Sequence, residues 1–216
     1  KTILAKYLPQ ADYIIPLAAV VGAKAADLDQ IGTKSINYQA IKDLLRLKSS
    51  DQALLYANTN SGYGHMDGEE IVDEKSPLIP HSFYAKTKVW AEDEVMAQSN
   101  CLSFRLATVF GASSKMRRDL LVNDFVYRAF KDKSLTLFDA DFRRNFIHIR
   151  DVASAFIFAI KNFTSMKDDV YNVGLSSANL TKRELCYKIQ DKLPHFQFFE
   201  GDIETDIDKR DYLVSN

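Results

Sequence analysis

The stretch FYAKTKVWAEDEVMAQSNCLSFRLATVFG, residues 83–111, holds a helix pattern and a strand pattern in succession. Residues 83–98 have helical composition, and residues 101–109 return to the apolar, β-branched character of a strand before Gly111 ends it. Upstream, ALLYA at residues 53–57 reads as another strand. The loop at residues 58–70 follows it and carries three of the chain's eight glycines. Farther back, residues 35–48 place Ile36, Ala40, Ile41, Leu44, Leu45 and Leu47 at helical recurrence, and Ser49, Ser50 and Asp51 close that crossover helix. DYIIPLAA, residues 12–19, is a continuous apolar run of the kind buried on both faces of a parallel sheet. Pro16 has no N–H to give to a ladder, so it belongs at the strand's end. Strand, helix, strand and helix joined by short connections predict an α/β fold, a doubly wound parallel sheet with right-handed crossovers.

Beyond Gly111 the rhythm changes. A helix is expected over residues 119–131, strands over 135–138 and 170–173, and a long apolar helix over 151–163. A capping box of Thr181 and Glu184 opens a last helix that stops before Pro194. The reading is a main domain over residues 1–112 and a smaller C-terminal α/β lobe over residues 113–216, from which segments return to the main sheet. There is no internal repeat and no low-complexity linker.

With 28 basic and 29 acidic residues among 216, the formal net charge is −1. No global field draws the chain to nucleic acid or to an anionic membrane, so neither is an expected partner and any anion site must be local. The longest apolar runs fall short of the about 20 residues that span a bilayer. The first residues lack a secretory pattern. Cys101 and Cys186 form no CxxC pair, and His65, His81, His148 and His195 share no ligand spacing. The expectation is no metal site, no disulfide framework and a cytoplasmic setting.

Tyr84 and Lys88 are four residues apart and share one face of the helix expected from residue 83. A tyrosine with a reference pKa near 10 is a poor base at neutral pH, but a neighbouring ammonium favours the phenolate. Thr59, at the end of the preceding strand, can hydrogen-bond the same substrate oxygen and hold it for proton removal.

Taken with the acidic, proline-bearing loop at residues 69–80 and the strand ending RLATVFG, these residues resemble the extended short-chain dehydrogenase/reductases that act on nucleotide sugars. The resemblance covers nearly the whole chain and implies a partial NAD-binding Rossmann fold with a smaller substrate lobe. DYIIPLAA resembles the family's fourth strand and the loop along the cofactor, which implies NAD contacts for Leu17, Ala18 and Ala19; Asn37 falls at the family's structural helix asparagine. TNSGYG, residues 59–64, gives Thr59 the role of catalytic hydroxyl, Tyr84 that of base and Lys88 that of the lysine on the nicotinamide ribose. RLATVFG places Ala107 beside the cofactor and Thr108 beside the sugar. RRNFIHIRD (143–151) and DKRDY (208–212) resemble the segments that clamp the substrate diphosphate, a role that passes to Arg144 and Arg210. A planar guanidinium suits that task. Asn123 and Asp124 lie on the helix over the substrate pocket, with a sugar contact for Asn123. Arg117 and Arg118 read first as a charge cluster at a helix start, with approach to a phosphate as the alternative, His148 as a hydrogen-bonded core histidine and His65 as exposed.

The family's opening glycine-rich turn and acidic ribose-binding position have no counterpart: the glycines never form GxxGxxG, and the chain opens at the family's third helix. The expectation is an internal stretch of a longer protein, with NAD against NADP left open. The resemblance implies oxidation of a sugar C4 to a 4-keto sugar. Dehydratases of the family carry an acidic pair after the catalytic threonine, where this chain has Asn60 and Ser61. Epimerase therefore ranks first, a 4-oxidase second and a dehydratase third, and the combination of TNSGYG, LATVFG, DLLVNDFVYRA and DKRDYLVSN resembles bacterial sugar dehydrogenases and epimerases of surface-polysaccharide metabolism. A non-catalytic interaction module stays open. The family also dimerises through two helices, here residues 32–48 and 83–98, which predicts a homodimer.

Overall fold

The computed structural model describes residues 2–65, 71–114, 116–201 and 211–216. After helix α1 (Thr2–Tyr7), strand β1 (Tyr13–Ile14) and helix α2 (Ala23–Leu28) come helix α3 (Gln30–Lys34), a π-helical stretch Ser35–Gln39, and helix α4 (Ala40–Leu47). Strand β2 (Ala53–Thr59), the short β3 (Ile71–Val72), helix α5 (Phe83–Met96) and strand β4 (Cys101–Leu106) complete the N-terminal part. Next come β5 (Thr108–Phe110), α6 (Leu121–Lys131), β6 (Ser134–Leu137), β7 (Arg143–His148), α7 (Ile149–Lys161), α8 (Phe163–Met166) and β8 (Val170–Val173). The chain closes with β9 (Asn179–Thr181), α9 (Lys182–Lys192), β10 (Gln197–Glu200) and β11 (Leu213–Val214).

The expected α/β architecture is present. The main sheet has the order β1-β2-β4-β8 with every pairing parallel. Alternation along its strands assigns the two faces. Leu54 and Tyr56 of β2 and Cys101 of β4 pack with Ile41 and Leu44 of α4 and Val95 of α5. Leu55 of β2 and Leu102 and Phe104 of β4 pack on the other side with Val152, Phe156 and Ala159 of α7. A strand with apolar side chains on both faces is stable only between two helical layers, which explains the unbroken apolar runs. A separate core joins Val122 and Phe125 of α6, Leu135 and Leu137 of β6, Phe146 of β7 and Leu185 and Ile189 of α9.

Three elements depart from expectation. The run at residues 12–19 forms a ladder only over Tyr13–Ile14; Pro16 then releases the chain toward α2. The crossover helix starts earlier, at Gln30, and widens into π geometry around the buried Asn37. The strand expected over residues 101–109 divides at Ala107: β4 stays in the main sheet, whereas β5 pairs with β7 in a three-stranded sheet β5-β7-β9. That division opens the space between the two cores. The capping box of Thr181 and Glu184 starts α9 as read from the sequence.

Candidate active site

The carboxyl ends of parallel strands are where open α/β sheets hold ligands, and a cavity of about 860 Å³ lies there. Thr59 ends β2, Leu106 ends β4 with Ala107 just beyond it, and Tyr84 and Lys88 come from α5; all line it.

Ser82 caps α5, its Oγ accepting from Ala85 N at 3.2 Å. Tyr84 therefore stands in the first helical turn, where the exposed N–H groups and the helix dipole favour negative charge. The helix turns Lys88 inward under Tyr84, and Lys88 is buried, with Nζ 4.1 Å from the centre of the Tyr56 ring. Burial lowers the Lys88 pKa from 10.5 to about 7, against the charge of Glu92, which raises it. Tyr56 is pushed well above 10, first by burial and then by the negative charge that Tyr84 and Glu92 can carry. The Thr59 hydroxyl accepts from Ser61 N at 3.2 Å and donates to Ser61 Oγ at 3.0 Å, which fixes the turn at the cavity floor.

Asn37 ties this helix to the loop after β1. Its Oδ1 accepts from Val20 N at 2.8 Å, its Nδ2 donates to Val20 O at 2.9 Å and to Thr87 Oγ1 at 3.2 Å, and Thr87 Oγ1 donates to Tyr84 O at 2.8 Å. The π stretch turns the asparagine into this position, a common use of such bulges.

Of the residues expected on the cofactor, Leu17, Ala19 and Ala107 line the cavity and Ala18 does not. Thr108 and Arg144, expected on the substrate, line it too, Arg144 from a buried position on β7. Asn123 does not line it: Oδ1 accepts from Gly111 N at 3.1 Å and Nδ2 donates to Arg117 O at 3.0 Å, so its amide fastens both ends of the loop before α6. Arg210 lies outside the described residues. His148 is a half-buried helix cap whose Nδ1 accepts from Arg150 N at 3.2 Å, rather than a core residue. His65 is exposed, as read.

Sequence reasoning missed several charged groups. Arg117, read first as part of a helix-start cluster and second as a phosphate contact, lines the cavity within electrostatic reach of Tyr84 and is held bidentately by Asp119 at 2.7 and 2.6 Å. Arg118 does stay outside, over the ring of Tyr127. Lys24, Arg128 and Lys182 join Arg117 and Arg144 in the lining, against Asp119, Asp124 and Asp139. Arg128 pairs with Asp124, one turn earlier on α6, at 3.2 Å. The lining from residue 106 onward is thus rich in cations, whereas the lining from Pro16 to Leu28 is mostly small or aliphatic, with Lys24 its one charged member.

Two observations bear on a dinucleotide and an anionic sugar as occupants. Thr108 Oγ1 is buried in the lining and has no hydrogen-bond partner among the described residues, a group that a bound ligand would satisfy. Gly22 lines the cavity at φ +100°, with no atom within 4 Å of where a Cβ would stand, so the backbone there is open to a ligand. The residues present fit such groups.

Similar solved structures share this architecture. Pal from Bacillus thuringiensis superposes with a TM-score of 0.86 at 17% identity, over 100% of this chain and 71% of that one. The UDP-glucose 4-epimerase of Thermus thermophilus, solved with NAD, gives a TM-score of 0.79 at 21% identity, over 98% and 71%. The dTDP-glucose 4,6-dehydratase of Bacillus anthracis, also solved with NAD, gives 0.79 at 20%, over 99% and 67%. At these identities the likeness establishes the fold. Residues 1–174 match the NAD dependent epimerase/dehydratase family, and the chain belongs to that family.

Proposed function

We infer that the chain works as an NAD-dependent nucleotide-sugar 4-epimerase, with Tyr84 as base. The observation that carries this reading is the convergence of Thr59, Tyr84 and Lys88 on one cavity whose walls differ in charge. NAD, when bound, would supply the acceptor and then the donor of a hydride for the sugar C4. Leu17, Ala19 and Ala107 would lie along it, and Lys88 would reach its ribose. Tyr84 as phenolate takes the proton of the C4 hydroxyl, whose oxygen Thr59 holds by a hydrogen bond. The oxygen keeps its bonding pair as the carbonyl forms, and Tyr84 gives the proton back when the ketone is reduced from the other face. Lys88 as ammonium stabilises the phenolate. Arg144 holds the diphosphate, a task for which a buried guanidinium is suited.

Asn60 and Ser61 follow Thr59, and neither can act as the carboxyl acid or base that loss of water requires, which favours epimerisation over dehydration. A second reading, 4-oxidation that stops at the ketone, uses the same residues. Proton NMR of UDP-glucose, UDP-glucuronic acid, dTDP-glucose and GDP-sugars, each incubated with enzyme and NAD, separates them. A C4 epimer supports epimerase and a 4-keto sugar with stoichiometric NADH supports the oxidase; no turnover of any nucleotide sugar removes both. The same reading carries a cytoplasmic homodimer, which light scattering at micromolar concentration checks.

A further inference from the structure

Tyr84, Lys88 and Glu92 recur every four residues on α5, and the third member has no part in the chemistry above. Glu92 is buried beneath the cavity. Its Oε1 accepts from Arg105 Nε at 3.0 Å and Nη2 at 2.7 Å, and its Oε2 accepts from Asn58 Nδ2 at 2.7 Å and Ser103 Oγ at 2.5 Å. Asn58 precedes Thr59 on β2 and is registered opposite Arg105 of β4, with Tyr56 opposite Ser103. One carboxylate therefore clamps α5 to both strands that end at the cavity. Arg105 continues the network through Nη1 to Tyr63 Oη at 3.0 Å, and Tyr63 Oη donates to Asn172 Oδ1 of β8 at 2.7 Å.

We propose that Glu92 is a positioning residue for the reaction inferred above: its clamped carboxylate fixes Tyr84 against Thr59, and its charge, one helical turn from Lys88, holds that amine as the ammonium which supports the Tyr84 phenolate. The second half of this proposal rests on that reading of the site. The titratable groups around Lys88 are Tyr84 and Glu92 on its own helix and Tyr56 on β2, and its cavity is also lined by Arg117 and Asp119 from the loop before α6 and by Arg144. The negative charge of Glu92, one turn along the helix, favours the Lys88 ammonium against the larger effect of burial.

The test is a titration of Lys88 in the intact chain, by 13Cε NMR with the resonance assigned through Lys88→Met. Glu92→Gln keeps the shape and removes the charge, and the Lys88 midpoint should fall by about one pH unit. Glu92→Asp keeps the charge and should hold the midpoint near the wild-type value. Glu92→Gln leaves Arg105 buried without its counter-charge, so Glu92→Gln with Arg105→Gln, an uncharged pair of amides, decides the matter where the single variant does not fold. An unchanged Lys88 midpoint in the folded charge-free variant overturns the proposal.

With NAD and UDP-glucose as the probe, the acid limb of kcat should move to higher pH in Glu92→Gln and stay in place in Glu92→Asp, whose shorter arm lowers kcat. A purely structural role lowers kcat equally at every pH and leaves the limb unmoved, which contradicts the proposal. Absence of turnover by the wild type counts against the proposed function alone, because the Lys88 midpoint is read without substrate.

Discussion

The two walls of the cavity are built on different terms. The wall from Pro16 to Leu28 is short-chained and mostly apolar, held in place from outside by the Asn37 amide on Val20. The rest of the lining presents guanidinium and ammonium groups, two of them, Arg117 and Arg128, already engaged by Asp119 and Asp124. The first wall offers shape and backbone, as a flat planar ligand requires; the second offers charge, as a diphosphate requires. Thr59, Tyr84 and Lys88 stand where the two meet. Chemistry placed there can act on an atom that one ligand hands to the other.

The largest expected effect removes the meeting point itself. Tyr84→Phe should lower turnover by roughly 10²–10⁴-fold, the range for a positioned acid or base, while circular dichroism and the melting curve stay unchanged; wild-type turnover in the variant would detach Tyr84 from the reaction.

Lys88 gives the next effect, through pH. Its pKa in the fold is about 7, below the ordinary lysine value of 10.5. Below pH 7 both folded and unfolded chains carry the proton and the cost of burying it is fully present. Between pH 7 and 10.5 the folded chain sheds it, so this contribution to stability improves as pH rises. Denaturant titrations should show wild type gaining on Lys88→Met across that window by about a few kcal/mol. Parallel curves for the two proteins would mean that Lys88 is not buried as an amine.

The charged wall should respond in binding rather than in chemistry. Arg144→Gln is expected to raise KM for the nucleotide sugar about 10–100-fold, the worth of hydrogen bonds to a charged group, with kcat nearly unchanged; equal losses in kcat and kcat/KM would place Arg144 at the reacting carbon instead. Thr181→Ala, at the capping box beside the cavity-lining Lys182, should cost only about 1 kcal/mol of stability and leave kinetics nearly unchanged. A loss of activity there would show that the lobe's stability and the site's geometry are coupled.

The parts of the molecule governed by local periodicity were legible in the sequence. Apolar runs gave the main sheet, four-residue spacing gave the shared face of Tyr84 and Lys88, and the Thr181 and Glu184 pair gave the start of α9. The rest was set by tertiary partners. Nothing in CLSFRLATVF marks Ala107 as the place where the chain changes sheets, because the apolar character continues; the pairing of β5 with β7 makes the division. The Asn123 amide looked available to a sugar, but Gly111 and Arg117 take it. The placement of Arg117 follows from that same contact and could not be read from a charge cluster. Glu92 did leave a signal, the third repeat of a four-residue spacing, but its clamp of Arg105, Asn58 and Ser103 is drawn from two other strands.

The central claim is that the sugar is oxidised at C4 and reduced again within this one cavity. Its most direct measurement uses the nucleotide sugar that turns over, deuterated at C4, with enzyme and NAD in ordinary water. The account predicts a C4 epimer that retains deuterium at C4, since the hydride that leaves is the hydride that returns. An epimer with protium at C4 drawn from solvent would contradict it, because the inversion would then proceed by loss of a proton from carbon and not by oxidation.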